Sequence, residues 1–203
     1  MKIFIITVII VCTAVLFSCA TLKESSFLTK DIKEGAKIIE DFTDEESDIP
    51  LRDSAEYEIS DGILYVKGIS DRDDFINFYT PDKIQQVILR INSSSVSYLS
   101  SHTRQYTDNL PEIEPTIFIT DNETRTGVWK EKNGKTEISY TSDSDLLNQW
   151  IILEMRINSA GQIESLVNGE LLSAADVEGR GLPGFSLHNI EGGSCMVDFI
   201  VIK

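Results

Sequence analysis

Residues 41–203 are predicted to form one all-β domain, a sandwich or barrel of short strands. Two observations predict it: apolar and polar residues alternate in short runs, and Asp-Gly or Asn-Gly pairs sit between several of those runs. A third is that no long helical period appears beyond residue 45 and no internal repeat recurs. A stretch of that length is enough for one well-buried core.

In chain order, the first element is a leader. Lys2 is followed by an almost unbroken apolar run from Ile3 to Phe17. As a helix it would span about 22 Å at about 1.5 Å per residue, short of the roughly 30 Å of hydrocarbon a membrane span crosses. That is the length of a signal-peptide core. The run closes with Leu16-Phe17-Ser18-Cys19, which resembles the bacterial lipobox: an aliphatic residue, a variable one, a small one, then cysteine. Phe17 departs from the strict pattern, which prefers a smaller residue there. The resemblance implies a lipoprotein signal peptide over 1–18 and a diacylglycerol on Cys19. Two or three acyl chains would hold the chain firmly on a membrane, where one would not. The expected location is the bacterial cell envelope, on the periplasmic or cell-surface side. Ala20 in place of an Asp after the cysteine points to the outer membrane.

Residues 19–40 read as a lipidated tether, with Ile32, Ala36 and Ile39 at the spacing of one short amphipathic helix that Gly35 weakens. An acidic run, Asp41 to Asp48, leads to Ile49-Pro50. Strand signals then begin. Glu56 to Ser60 and Ile63 to Gly68 flank Asp61-Gly62, a hairpin. Val87, Leu89 and Ile91 share one strand face. Ser93 to Leu99 is polar but compatible with a strand. Pro115 to Thr120 is a strand whose proline suits an edge-compatible start. Gly127 to Lys130 and Lys135 to Tyr140 flank Asn133-Gly134. Ile151, Leu153, Met155 and Ile157 alternate with a mixed face, and Gln162 to Val167 returns before Asn168-Gly169. Cys195 to Lys203 is the closing strand, with Asp198 expected on a mixed face beside Met196, Ile200 and Ile202.

Three segments carry a resemblance to the concanavalin A-like lectin/glucanase superfamily, which includes laminin-G-like jelly rolls. They are Asp41-Phe42 with Tyr57 to Gly68, then Trp150 to Ile157 continuing to Val167-Asn-Gly-Glu, then Gly181 to His188 leading into Val197 to Ile202. The resemblance implies a jelly-roll sandwich of two antiparallel sheets. Residues 92–148 contribute nothing specific to it.

Chemistry is harder to find. The net charge of −15 repels phosphate backbones, so no nucleic-acid partner is expected. Glucanases of the superfamily carry Glu-x-Asp-x-x-Glu, whose alternation aims three carboxylates into one cleft. That motif is absent. Glu56 and Glu58 are the nearest match and would share a face, although solvated edge residues have the same pattern. Cys195 is the one cysteine beyond the lipobox. It reads as a small buried apolar residue, and His188, seven residues upstream, is the histidine that could serve it as a base. Asp71, Asp73 and Asp74 are the better of two acidic runs for a metal, and calcium is the cofactor such oxygens would take. For carbohydrate, Trp129 and Trp150 are the rings to stack on a sugar, with Tyr98, Tyr106 and Tyr140 also available.

The expected function is a lipid-anchored extracytoplasmic binding module for a carbohydrate or protein partner, non-catalytic. The alternatives are a glycoside-processing hydrolase with an atypical acid/base pair, and a structural envelope lipoprotein without a small ligand.

Overall fold

The computed structural model describes residues 27–44, 46–51, 56–67, 74–102, 113–130, 135–142, 145–189 and 194–203. Within them the chain is a jelly-roll sandwich of two antiparallel sheets, with one short helix, α1 (Lys30–Lys33). The larger sheet contains β1 (Ile38–Glu40), β2 (Glu56–Ser60), β3 (Ile63–Lys67), β5 (Gln86–Ser93), β10 (Ile151–Ile157), β11 (Ile163–Val167), β12 (Glu170–Ala175) and β14 (Ser194–Ile202). Its order is β12-β11-β10-β5-β14-β3-β2, and β1 continues along β14 past the end of β3. The smaller sheet runs in the order β4 (Asp74–Ile84), β13 (Leu182–Asn189), β6 (Ser97–His102), β7 (Ile113–Ile119), β8 (Thr124–Lys130), β9 (Lys135–Ser142).

The alternation seen in the sequence selects the faces. Val87, Leu89 and Ile91 of β5 pack with Leu153 and Met155 of β10, Val197 of β14, and Leu99, Ile117, Phe185 and Leu187 of the other sheet. Each of these side chains is fully buried, and burying one aliphatic side chain contributes about 1.5–3 kcal/mol. Phe78 and Phe185 stack across the β4–β13 pair. At Asp61-Gly62 and Asn168-Gly169 all four φ angles are positive, as a two-residue hairpin requires. The Asn168 side chain also accepts a bond from the Ile152 amide. Gly184 answers a close approach instead: a Cβ there would lie 2.3 Å from the Phe78 carbonyl oxygen.

Pro115 is at neither a strand start nor a sheet edge: it is the third residue of β7, between β6 and β8, and its carbonyl accepts a bond from the Ser101 hydroxyl. Three other sequence expectations need correction. The amphipathic helix stops at Lys33, because Gly35 adopts φ +73°. Ile32 and Ala36 do pack against the sheet, but Ile39 belongs to β1 and is exposed. The stretch read as tether is therefore docked from Leu28 onward. Leu28 is buried with Ile88, Phe199 and Val201, and the Lys37 amide donates to the Ile202 carbonyl at 2.8 Å. The third correction concerns β14. Val197 lies opposite Ile91 and Phe199 opposite Arg90, so Asp198 is the extra residue of a β-bulge. The bulge reverses the parity. Ile200 and Ile202 enter the central core, while Phe199 and Val201 turn outward under the N-terminal strap. Asp198 thus does not share a face with Ile200 and Ile202.

The acidic run after β1 forms a compact loop. Glu40 is buried, and its carboxylate accepts bonds from the Phe42 amide (3.0 Å), the Asp48 amide (2.6 Å) and the Ser47 hydroxyl (3.2 Å). Asp41 and Asp44 each accept a bond from the amide two residues on. These carboxylates organise the loop's backbone.

Candidate functional site

A two-sheet sandwich has two outer faces, and here they differ. On the larger sheet the N-terminal strap covers the middle. Arg90 lies under it, with its guanidinium 3.7 Å from the Phe27 ring centroid and 4.4 Å from that of Trp150, and 2.5 Å from the Asp198 carboxylate. Further along the same face Arg156 bonds Glu164 at 2.7 Å and Glu154 at 3.3 Å, and Gln86 bonds Glu154 at 2.6 Å. The hydrogen bond to Glu164 holds Arg156 above its ordinary pKa, and bonds from Arg156 and Asn158 hold Glu164 below the usual carboxylate range. These groups satisfy one another, which leaves that corner no unmet need for a ligand.

The outer face of the smaller sheet is built differently. The residues of β7 that point away from the core are Glu114, Thr116 and Phe118, and those of β8 are Arg125, Gly127 and Trp129, because Ile117 and Val128 point inward. On β13 the outward residues are Ser186 and His188, since Phe185 and Leu187 are core. The register then aligns Asn77, Ser186, Ser100, Thr116 and Gly127 in one row across five strands. Every residue of that row is small or medium-sized, and Gly127 has no side chain. On one side stand His188, Phe118 and Arg125, and on the other Tyr79, Glu114 and Trp129.

Strands about 4.8 Å apart make the row about 19 Å long. By register it is a strip of short polar side chains between taller ones, a shallow trough lying across the strands. The floor is sealed: Ser100, Thr116 and Ser186 are buried, and the Ser100 and Thr116 hydroxyls are 3.2 Å apart. Trp129, Phe118, Glu114, Tyr79 and His188 are half-buried. Arg125 is 3.1 Å from Glu123 and 5.7 Å from the Phe118 ring centroid. Aromatic faces beside hydrogen-bonding groups are what a ligand with alternating apolar and hydroxyl surfaces needs.

The sequence-derived candidates are scattered over the molecule. Trp129 lies in a wall of the trough. Trp150 lies on the opposite outer face against Arg90, so the two tryptophans do not line one site. Glu56 and Glu58 do share a face, on β2 at the edge of the larger sheet, where both are exposed and neither approaches the trough. Asp74 begins β4, with its backbone opposite His188. Asp71 and Asp73 lie outside the described residues, as do Cys19 and Tyr106. Among the described residues no group of three or more acidic, His or Cys side chains forms a metal cluster.

Cys195 faces the core of the larger sheet, and burial pushes its thiol up to about 12. His188 is on the outer face of the other sheet, so the two make no dyad. A thiol held protonated in this way is no nucleophile at neutral pH.

Sequence reasoning passed over Glu114, Thr116, Phe118, Arg125 and Ser186, and considered His188 only as a base for Cys195. They come from the β7–β8 hairpin and from β13, distant in sequence, and only the cross-strand register assembles them.

No protein-family model matches the sequence, and comparison with curated proteins gives no match. Solved structures do match. A Bacillus licheniformis β-glucanase superposes with a TM-score of 0.62 at 11% identity, over 84% of this chain and 99% of that one. A prokaryotic β-1,3-1,4-glucanase (lichenase) derived from a mouse hindgut metagenome gives 0.52 at 17% identity, over 72% and 82%. A structure described as a native glycosidic hydrolase gives 0.52 at 12% identity, over 72% and 80%. At such identities the likeness is one of fold.

Proposed function

We propose that this chain is a carbohydrate-binding module held on the outer side of a bacterial membrane by acylated Cys19, and that it binds an oligosaccharide along the trough of the smaller sheet. The observation that carries the reading is the trough itself: a polar floor walled by Trp129 and Phe118 with Arg125, Glu114 and His188 beside them. The fold shared with proteins named β-glucanase and lichenase supports it. The net charge of −15 favours a ligand that is neutral or cationic over a polyanion.

The spacing of the described carboxylates supports binding without turnover. The described carboxylates on this face are Glu114, opposite Trp129, and Glu123, which immediately precedes β8. Six residues of strand separate Glu123 from Trp129, about 20 Å at about 3.4 Å per residue. Glycosidases hold their two carboxyl groups about 5–10 Å apart.

The experiment is calorimetric titration of the mature chain with a panel of neutral β- and α-glucans and mannans, alongside Trp129→Ala. One glycan class should bind, and Trp129→Ala should weaken it at least about tenfold, the loss of about 1.4 kcal/mol of ring stacking. Binding undiminished by Trp129→Ala would remove the trough from the account. Release of reducing sugar would replace binding by hydrolysis.

A further inference from the structure

We infer that the outer face of the larger sheet, with its docked N-terminal strap, is the side of the domain that rests on the membrane, and that its partner is the phospholipid headgroup layer. The inference rests on the acylation of Cys19 proposed above.

Chain length is the first argument. Cys19 precedes Phe27 by eight residues, and eight residues reach at most about 29 Å at about 3.6 Å each. From Leu28 onward the strap is packed on the sheet. The chain therefore leaves the domain toward its anchor from the strap's side.

The second argument is the exposed apolar surface. Apart from Tyr57 and Leu171, the exposed large hydrophobic side chains among the described residues are Phe27 (51%), Ile39 (39%) and Tyr65 (39%). All three are on this side. Phe27 lies over Arg90, Ile39 pairs with the outward-facing Val201, and Tyr65 pairs with the outward-facing Met196. Aromatic and aliphatic side chains held at a polar surface suit the headgroup boundary.

Charge is the third. The chain carries −15 overall, which an anionic bilayer repels. The strap departs from that balance: Lys30, Lys33 and Lys37 outnumber Asp31 and Glu34, and the Lys203 ammonium reaches the Asp31 carbonyl at 3.3 Å. Glu56 and Glu58, on the edge strand β2, border this face beside Lys67 and Tyr65. With the strap toward lipid, the trough faces away from the membrane.

The two tryptophans report on opposite faces, which supplies the test. Full-length chain is acylated in cells, purified, and reconstituted in vesicles of phosphatidylethanolamine and phosphatidylglycerol bearing a headgroup-linked dansyl acceptor. Trp129→Phe leaves Trp150 as the donor, and Trp150→Phe leaves Trp129. Transfer from Trp150 should exceed that from Trp129 by about twofold or more, because the rings lie on opposite sides of sheets packed about 10 Å apart. Equal transfer, or more from Trp129, overturns the orientation. So does a disulfide between copies carrying Ile39→Cys in the same vesicles, which would assign this face to a second copy. Flotation and intact mass are measured on the same samples. A chain that neither floats with the vesicles nor carries the acyl mass overturns the anchor, and the orientation with it. A chain that floats without the Trp150 excess overturns the orientation alone.

Discussion

Replacing Arg90 by Met tests whether the strap and the bulge act together. Arg90 and Asp198 are 2.5 Å apart with side chains only 11% and 10% exposed. Exposed ion pairs contribute about 0.2–1 kcal/mol, whereas breaking a buried pair costs about 3–5 kcal/mol, because the abandoned charge has lost its water. With about a tenth of each side chain still wet, the lower end applies. Met keeps the aliphatic bulk between Phe27 and Trp150 and some sulfur–ring attraction, but it gives up two cation–π contacts of about 0.5–1 kcal/mol each. The expected cost of Arg90→Met is about 3 kcal/mol. Asp198→Ala added to it should cost about 1–2 kcal/mol less than the same change in the wild type, since the ion pair can be lost only once. Urea unfolding of the mature chain, followed by tryptophan fluorescence, measures both. A cost below about 0.5 kcal/mol for Arg90→Met would mean the pair behaves as a surface pair. Strict additivity in the double variant would mean that Arg90 and Asp198 are not coupled. Either result refutes the reasoning.

Two further outcomes are expected. Burial holds the Glu40 carboxyl above the usual range, against hydrogen bonds from Phe42, Asp48 and Ser47. A carboxyl raised in the folded state makes folding more favourable when it is protonated. Its contribution is therefore largest below the ordinary Glu value and declines as pH climbs to the raised one. Stability measured from pH 4 to 8 should carry that decline in the wild type, and Glu40→Gln should flatten it; a gain with rising pH assignable to Glu40 contradicts the account. Cys195, with its thiol pushed up to about 12, should resist a thiol-specific reagent at pH 8 in the folded chain and react fully in denaturant. Fast modification of the folded chain would show that its core position is wrong.

Strand existence was legible because burial imposes a period of two that composition cannot hide. The pairs Asp61-Gly62 and Asn168-Gly169 were legible for a second reason, that few residues tolerate two successive positive φ angles. Long-range effects were not legible. In β4, Asp74, Pro81 and Asp82 interrupt the alternation, and only its place at the sheet edge tolerates them. The bulge at Asp198 is likewise invisible locally: Met-Val-Asp-Phe-Ile-Val-Ile alternates acceptably in either phase. The phase is chosen by Arg90, which offers Asp198 a counter-ion on the outer side, and by the strap, which provides a cover for Phe199 and Val201.

The same distinction explains why Trp129 was named as a candidate ring while its neighbours in the trough were not. Alternation says which residues of a strand share a face, but not which face meets the core, nor what covers the other one. For β8 that requires Val128 to be seen packed inward; for β10 it requires Ile152 under the strap. Once both are placed, the two tryptophans separate. Trp150 is occupied by Arg90 beneath the N-terminal segment, and Trp129 is left beside Gly127. The strap, which its sequence presents as a tether, therefore covers the outer face that carries Trp150 and not the one that carries Trp129. Any variant that releases it, such as Leu28→Asp, would expose Ile88, Phe199 and Val201 and create a second, apolar surface to compete with the trough.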